Sequence, residues 1–441
     1  MSRIRNIVIL LRGQMWLIPA IMIAFALTLA YVLLTNKYLL RAIDDMDLWW
    51  VYGGDASSAR DLLSSLLSGL MTMTSLVVSI TFVVLTLAAN QLGPRLISTF
   101  IADRQIQAVI GLFLSTILYV LVVLRTLEDE LGKEAVPHIA VTVGSGLTIL
   151  CLVTLLLYLH KVARAIIADN VIDAAADDLY KDIRDILPDQ APAAEGDDLP
   201  HPELRGGAPL ALDHSGYIQT IDYDALVKLA RQNDIILKVE IRPGTFVLKN
   251  GNHVRVHREK DLDSGTANDI RKAFVIDQRR TPAQDLEYGF RQLVEIALRA
   301  LSSGINDPFT AVVVIDRLGA ALEEIFEREP LPRFLRDEDG EIRVVAERQH
   351  EGLIDVAFDL IREAGSDQAL VLARIADVLG QLAPILHTDA AQGAVLAQLE
   401  KISETAELGS LASSDQQMVL RCIDKARAAI EQRSGSSRGK P

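Results

Sequence analysis

The stretch LLSGLMTMTSLVVSITFVVLTLAA, residues 66–89, contains no charged side chain. A bilayer core about 30 Å thick requires about 20 apolar residues in a helix, because lipid offers no partner to an unpaired backbone group. Residues 15–34, 106–124 and 139–159 meet the same requirement. The first of these follows Arg3, Arg5 and Arg12 and could be read as a signal peptide, but its apolar stretch is longer than a usual signal core. The reading is therefore four membrane spans. The chain has 441 residues, 50% of them hydrophobic, yet Lys, Arg, Asp and Glu recur every few residues from Lys161 onward. The average hides a membrane part and a water-soluble part.

With the amino terminus in the cytoplasm, Arg3, Arg5, Arg12, Arg95, Arg104, Lys161 and Arg164 fall inside, against Lys37, Arg41, Arg60, Arg125 and Lys133 outside. This bias leads to the expectation that both termini lie in the cytoplasm. Trp49, Trp50 and Tyr52 suit the outer headgroup level, and Arg125 can snorkel from the end of the third span. Asn90, Gln91, Gly93 and Pro94 stop the second span, so spans two and three should be antiparallel neighbours.

Ser64, Ser68, Thr72, Ser75, Ser79, Thr86 and Asn90 keep within a sector of roughly 80° on the second span. Two readings stand. Hydroxyls can line a water-filled path, where they replace part of an ion's hydration shell. They can equally mark a helix contact, since small residues let helices approach closely in lipid. Gly144, Ser145, Gly146 and Thr148 give the fourth span a small-residue surface that reads as a packing seam. No span carries an acidic residue in its middle, which argues against a carboxylate proton relay.

The division expected is a transmembrane domain over 1–165, a helix and linker over 166–207, and a small α+β, barrel-like element over 208–278. A helical cytosolic domain over 279–433 and an unstructured tail over 434–441 follow. Strands are predicted at 215–221 and 235–241, with a helix at 223–232 between them. Phe246-Val247 and residues 253–257, around Asn250-Gly251-Asn252, suggest a hairpin. This run resembles the small barrel of biotinyl and lipoyl carriers in shape only, since it lacks their modifiable lysine flanked by methionines. His253 and His257 read as solvated strand histidines, without further ligands for a metal.

Helices are predicted at 286–301 and 308–328. Between them, Gly304 could take the left-handed conformation that ends the first, and Asp307 with Pro308 could cap the second. Asn306 and Thr310 remain as polar groups at a helix amino terminus, suited to an anion or a partner's carboxylate. Arg291, Ser302, Gly304, Asn306, Asp307 and Thr310 are thus candidates for a ligand site or subunit interface. Beyond a loop and short strand at 331–344, helices at 352–363, 368–386, 390–407 and 414–432 should pack as a bundle.

The series Arg280, Thr281, Gln284, Asp285, Gly289, Arg291, Gln292, Leu293, Ile296, Ala297, Ala300, Leu301, Ser302, Gly304, Ile305, Asn306, Asp307, Pro308, Thr310 and Ala311 resembles the bacterial membrane proteins of domain-of-unknown-function family 2254. Ser75, Ser79, Thr81, Gln91, Pro94, Arg95, Asp103 and Arg104 agree with it, and members often carry proline at the position of Ser303. The resemblance implies four spans followed by a cytosolic domain.

A net charge of −14 lacks the concentrated basic face that nucleic acid requires, and two cysteines support neither a disulfide framework nor a cysteine metal site. No nucleophile elbow, phosphate-cradling loop or paired-histidine zinc motif stands in a suitable context, so neither enzyme activity nor a cofactor is expected; Asp307, Asn306 and Arg291 would be the best catalytic remnant. The leading expectation is a homo-oligomer in the lipid bilayer, channel-like toward inorganic ions, with Ser68, Thr72, Ser75, Ser79, Thr86 and Asn90 lining the path. The alternative is a membrane-anchored sensor or scaffold that binds its ligand or partner through the cytosolic domain.

Overall fold

The computed structural model describes residues 16–35, 51–92, 104–127, 136–165, 168–187, 204, 206–257, 262–328, 332–347 and 352–437. The expectations for Trp49, Trp50, the loop from Gly93 to Asp103 and most of the linker therefore lie outside the described residues. The chain divides into two compact units, 1–170 and 171–441.

In the first unit, α1 (Leu17–Thr35), α2 (Ala56–Leu92), α3 (Arg104–Arg125) and α4 (His138–Ala165) contain the four stretches long and apolar enough to cross a membrane. Helix α2 buries Leu63, Leu70, Val77 and Val84, a seven-residue spacing that places one stripe against the other helices. Antiparallel packing of α2 and α3 follows from Arg60 Nη2, which donates to the Leu127 carbonyl at 2.8 Å. Between α3 and α4, the Tyr119 hydroxyl donates to the Ala140 carbonyl at 3.0 Å, and Cys151 Sγ lies 3.4 Å from Thr116 Oγ1. Thr81 and Tyr158 share a short hydrogen bond across α2 and α4. A Cβ on Gly111 would come within 3.0 Å of the Pro19 backbone, so glycine is what lets α1 approach α3. Gly144 and Thr148 are buried and Gly146 is exposed, so only part of the expected small-residue seam faces the bundle.

Helix α5 (Ala168–Ile186) crosses the boundary and leads, in the second unit, to β1 (Ala208–Leu210), β2 (Gly216–Ile221), α6 (Tyr223–Gln232), β3 (Ile236–Val239), β4 (Phe246–Val247) and β5 (Val254–His257). Then come α7 (Ser264–Lys272), β6 (Phe274–Asp277), α8 (Leu286–Ala300), α9 (Pro308–Glu327), β7 (Phe334–Arg336) and β8 (Ile342–Val345). The bundle closes with α10 (Leu353–Ala364), α11 (Ala369–Gln381), α12 (Asp389–Leu408) and α13 (Ser413–Ser437). Helix α13 thus extends into the tail expected to lack structure.

The strands form two open sheets, ordered β1-β5-β3-β8-β7 and β4-β2-β6, rather than a closed barrel. The expected hairpin is absent: β4 pairs with β2, whereas β5 pairs with β3 and β1. Val247 is buried with the first of these partners, and Val254 and Val256 with the second. Each segment finds apolar cover on a different sheet, which outweighs the local turn signal. Strand β8 pairs in parallel with β3, a partnership across about a hundred residues that local periodicity does not display.

Candidate functional site

Three places concern the candidate residues: the outer face of α2 and the two ends of α8. Ser64, Ser68, Thr72, Ser75, Ser79 and Thr86 are all exposed, on the side of α2 away from its buried apolar stripe. Ser68 donates to the Ser64 carbonyl at 3.0 Å, Thr72 to Ser68 at 3.0 Å and Thr86 to Phe82 at 2.8 Å. The hydroxyl protons of Ser68, Thr72 and Thr86 are thereby satisfied within the helix, which leaves their oxygens free to accept a further bond. Asn90 belongs to the last turns of α2, where no side chain is described. The six described residues of the stripe thus lie on the exposed face of their helix.

At the amino-terminal end of α8, Arg280 pairs with Asp285, while Arg242, Arg280 and Arg291 converge on Glu287. Asp285 and Glu287 side chains are only 2% and 9% exposed. Burial alone would raise the Glu287 carboxyl, but the guanidiniums of Arg242, Arg291 and Arg280 outweigh it and hold the group below the usual carboxylate range. Two carboxylates among three guanidiniums are neutralised in place. Asp285 stands at the N-cap position without making a side-chain capping bond, because its carboxylate is turned to Arg280. Gln284 accepts from the Ile221 amide at 2.9 Å, tying this end of α8 to β2. A Cβ on Gly289 would lie 2.7 Å from Leu179 Cδ1, which explains a glycine where α5 rests on α8.

At the other end, residues 302–306 are exposed. Asp307 Oδ1 accepts from the Thr310 amide at 3.2 Å and Oδ2 from the Thr310 hydroxyl at 2.5 Å, the expected N-cap, with Pro308 in the first turn. The Thr310 hydroxyl bond is the chief cause that holds the Asp307 carboxyl below its ordinary value. The left-handed residue is Asn306, with φ +50°, and not Gly304. The reversal falls where the Asp307 amide returns to the Ala300 carbonyl at 2.8 Å, and asparagine is the non-glycine residue best suited to that conformation. Ser302 is occupied by the Arg299 carbonyl at 2.6 Å, and Gln368 Nε2 donates to Asn306 Oδ1 at 3.4 Å.

The candidate set is therefore split. Asn306, Asp307 and Thr310 form one turn, with Ser302 and Gly304 beside it, whereas Arg291 belongs to the ion cluster about 16 Å along the helix. Glu287 and Arg242, central to that cluster, were not among the sequence candidates. Glu287 could have been found by its four-residue spacing from Arg291, but Arg242 comes from the turn before β4 and carries no local signal. His253 and His257 lie on one strand face at a separation of about 13 Å. Among the described residues no group of three or more His, Cys, Asp or Glu could hold a metal ion.

The mycobacterial proteins similar to this chain include uncharacterized proteins of Mycobacterium tuberculosis strain H37Rv and Mycobacterium bovis. Each is 27% identical over 438 residues, covering 98% of this chain and 83% of the relative. No solved structure matches the chain. The family model described as predicted membrane protein (DUF2254) matches residues 12–381, which include all four long apolar helices and both ends of α8. The chain belongs to the DUF2254 family of predicted membrane proteins.

Proposed function

We propose that several copies assemble in a bacterial inner membrane with their α2 helices around a common axis, so that Ser68, Thr72, Ser75, Ser79 and Thr86 line a channel-like path for inorganic ions. The observation that carries this reading is the outward exposure of the whole hydroxyl stripe, opposite Leu63, Leu70, Val77 and Val84. A hydroxyl face gains nothing from hydrocarbon, but it gains hydrogen bonds from a second protein surface or from water. The cytosolic carboxy-terminal unit would gate or organise the assembly.

The test is ion flux through the purified full chain in liposomes, with its oligomeric mass measured in detergent. Flux carried by a defined oligomer, and abolished at unchanged mass by Ser75→Leu with Ser79→Leu, is the expected result. Unchanged currents in the double variant reject the lining. An assembled but silent protein favours the anchored sensor or scaffold, whose contact would be the exposed turn at Asn306 and Asp307.

A further inference from the structure

Large apolar side chains stand in solvent at one end of the helical bundle: Ile305 is 49% exposed, Phe309 73%, Leu370 42% and Leu408 89%. Ile305 and Phe309 flank the α8–α9 turn. The Gln368–Asn306 hydrogen bond brings the first turn of α11, with Leu370, beside them. A Cβ on Gly409 would lie 3.1 Å from the Ser366 carbonyl oxygen, so the end of α12, with Leu408, adjoins the turn that precedes α11. These four side chains thus project from neighbouring helix ends and belong to no core.

Helix α5 tells which end this is. Asp173 pairs with Arg317 at 2.7 Å, the Tyr180 hydroxyl donates to the Arg317 carbonyl at 3.2 Å, Arg184 pairs with Glu324 at 3.4 Å, and Arg328 donates to the Leu187 carbonyl at 2.9 Å. The partners advance together, so α5 and α9 run parallel and the start of α9 at Pro308 is level with the start of α5 at Ala168. The fourth apolar stretch ends at Val162. Six residues onward is Ala168, and that much chain reaches at most about 20 Å. The chain thus begins α5, six residues after the fourth apolar stretch, level with the end that bears the four exposed apolar side chains.

We propose that this end of the unit rests on the bilayer, with Ile305, Phe309, Leu370 and Leu408 at the boundary between headgroups and acyl chains. Phenylalanine and leucine suit that depth, and a covalent tether this short raises the effective concentration of the surface enough for a small patch to engage it. Asp307 and Asp367 stand at the same end, which disfavours an anionic surface and fits zwitterionic lipid. The inference requires only that the spans cross a membrane, and it is independent of the pore.

The experiment uses the full chain in phosphatidylcholine nanodiscs, with a bimane label on Phe309→Cys, on Leu408→Cys, or on Leu248→Cys as a reference near the sheets. Each variant also carries Cys422→Ser. Labels at 309 and 408 are expected to be quenched by brominated lipid and shielded from aqueous iodide, and the label at 248 to show the reverse. Iodide quenching at 309 and 408 equal to that at 248 would overturn the proposal. Shielding from iodide without quenching by lipid would also overturn it, because protein would then be the cover. Photo-crosslinking of the unmodified chain with diazirine-bearing phosphatidylcholine supplies a second reading. Adducts are expected at 305–309 and 408, and adducts confined to the spans would defeat the idea.

Discussion

At its amino-terminal end, helix α8 is held by Arg242, Arg280, Asp285, Glu287 and Arg291, a charged cluster whose two carboxylates are largely removed from water. At its carboxy-terminal end the chain reverses through residues 302–306, which lie exposed on the surface of the unit. Both ends carry residues of the same sequence motif, but they answer to different physics. A desolvated carboxylate must keep its partners, because losing one leaves charge uncompensated in a poor solvent. An exposed turn can exchange most of its hydrogen bonds for bonds to water at little net cost. The difference teaches that the motif joins a stability device at one end to an accessible surface at the other.

The largest effect expected from breaking this contrast is at Glu287. Glu287→Ala removes the carboxylate shared by Arg242, Arg280 and Arg291 and should cost about 3 kcal/mol, read as a drop in the unfolding midpoint of the full chain in detergent. Its pH dependence has a definite sign. The folded carboxyl lies below its unfolded value, which is near 4.3. The stabilisation is therefore complete above that pH and is lost as pH falls through the folded value. Glu287→Gln should flatten the acid limb of the stability profile, and an unchanged limb would show that the cluster contributes no linked protonation.

At the open end, Asp307→Ala removes the cap on α9 and should cost about 1 kcal/mol, with Asp307→Asn or Asp307→Ser recovering most of it. A loss as large as that at Glu287 would erase the proposed difference between the ends. The smallest effect is expected at Gly304. Its φ is not positive, and a Cβ there meets nothing within 4 Å. Gly304→Ala should therefore change stability by less than about 0.5 kcal/mol, whereas β-branched Asn306→Val should be distinctly worse because it forces such a residue into the left-handed region.

These residues also show where sequence reasoning reaches its limit. Asp307, Pro308 and Thr310 were legible as a helix start because capping is a relation among residues three apart. The choice of Asn306 over Gly304 for the left-handed position was not, since it depends on the Asp307 amide closing back to Ala300. The ion cluster was half visible, as Glu287 and Arg291 lie one helical turn apart. Arg242 joins them only because β4 leaves its apparent hairpin partner and pairs with β2.

The four long apolar helices were legible from the residues alone, because a lipid solvent imposes a length and an apolarity that any span must satisfy locally. The sequence likewise determined the helical rhythm of the carboxy-terminal region and the placement of the hydroxyls on one face of the second span. Which way that face turns is settled by packing. It is the stripe Leu63, Leu70, Val77 and Val84 that packs inside the bundle, so the hydroxyls are left outside. Tertiary packing also separated β4 from β5, brought β8 to β3, and gathered Ile305, Phe309, Leu370 and Leu408 at one end. The physical reason is common to all of these: burial is a contest among segments distant in the chain, and periodicity records a segment's preference without naming its partner.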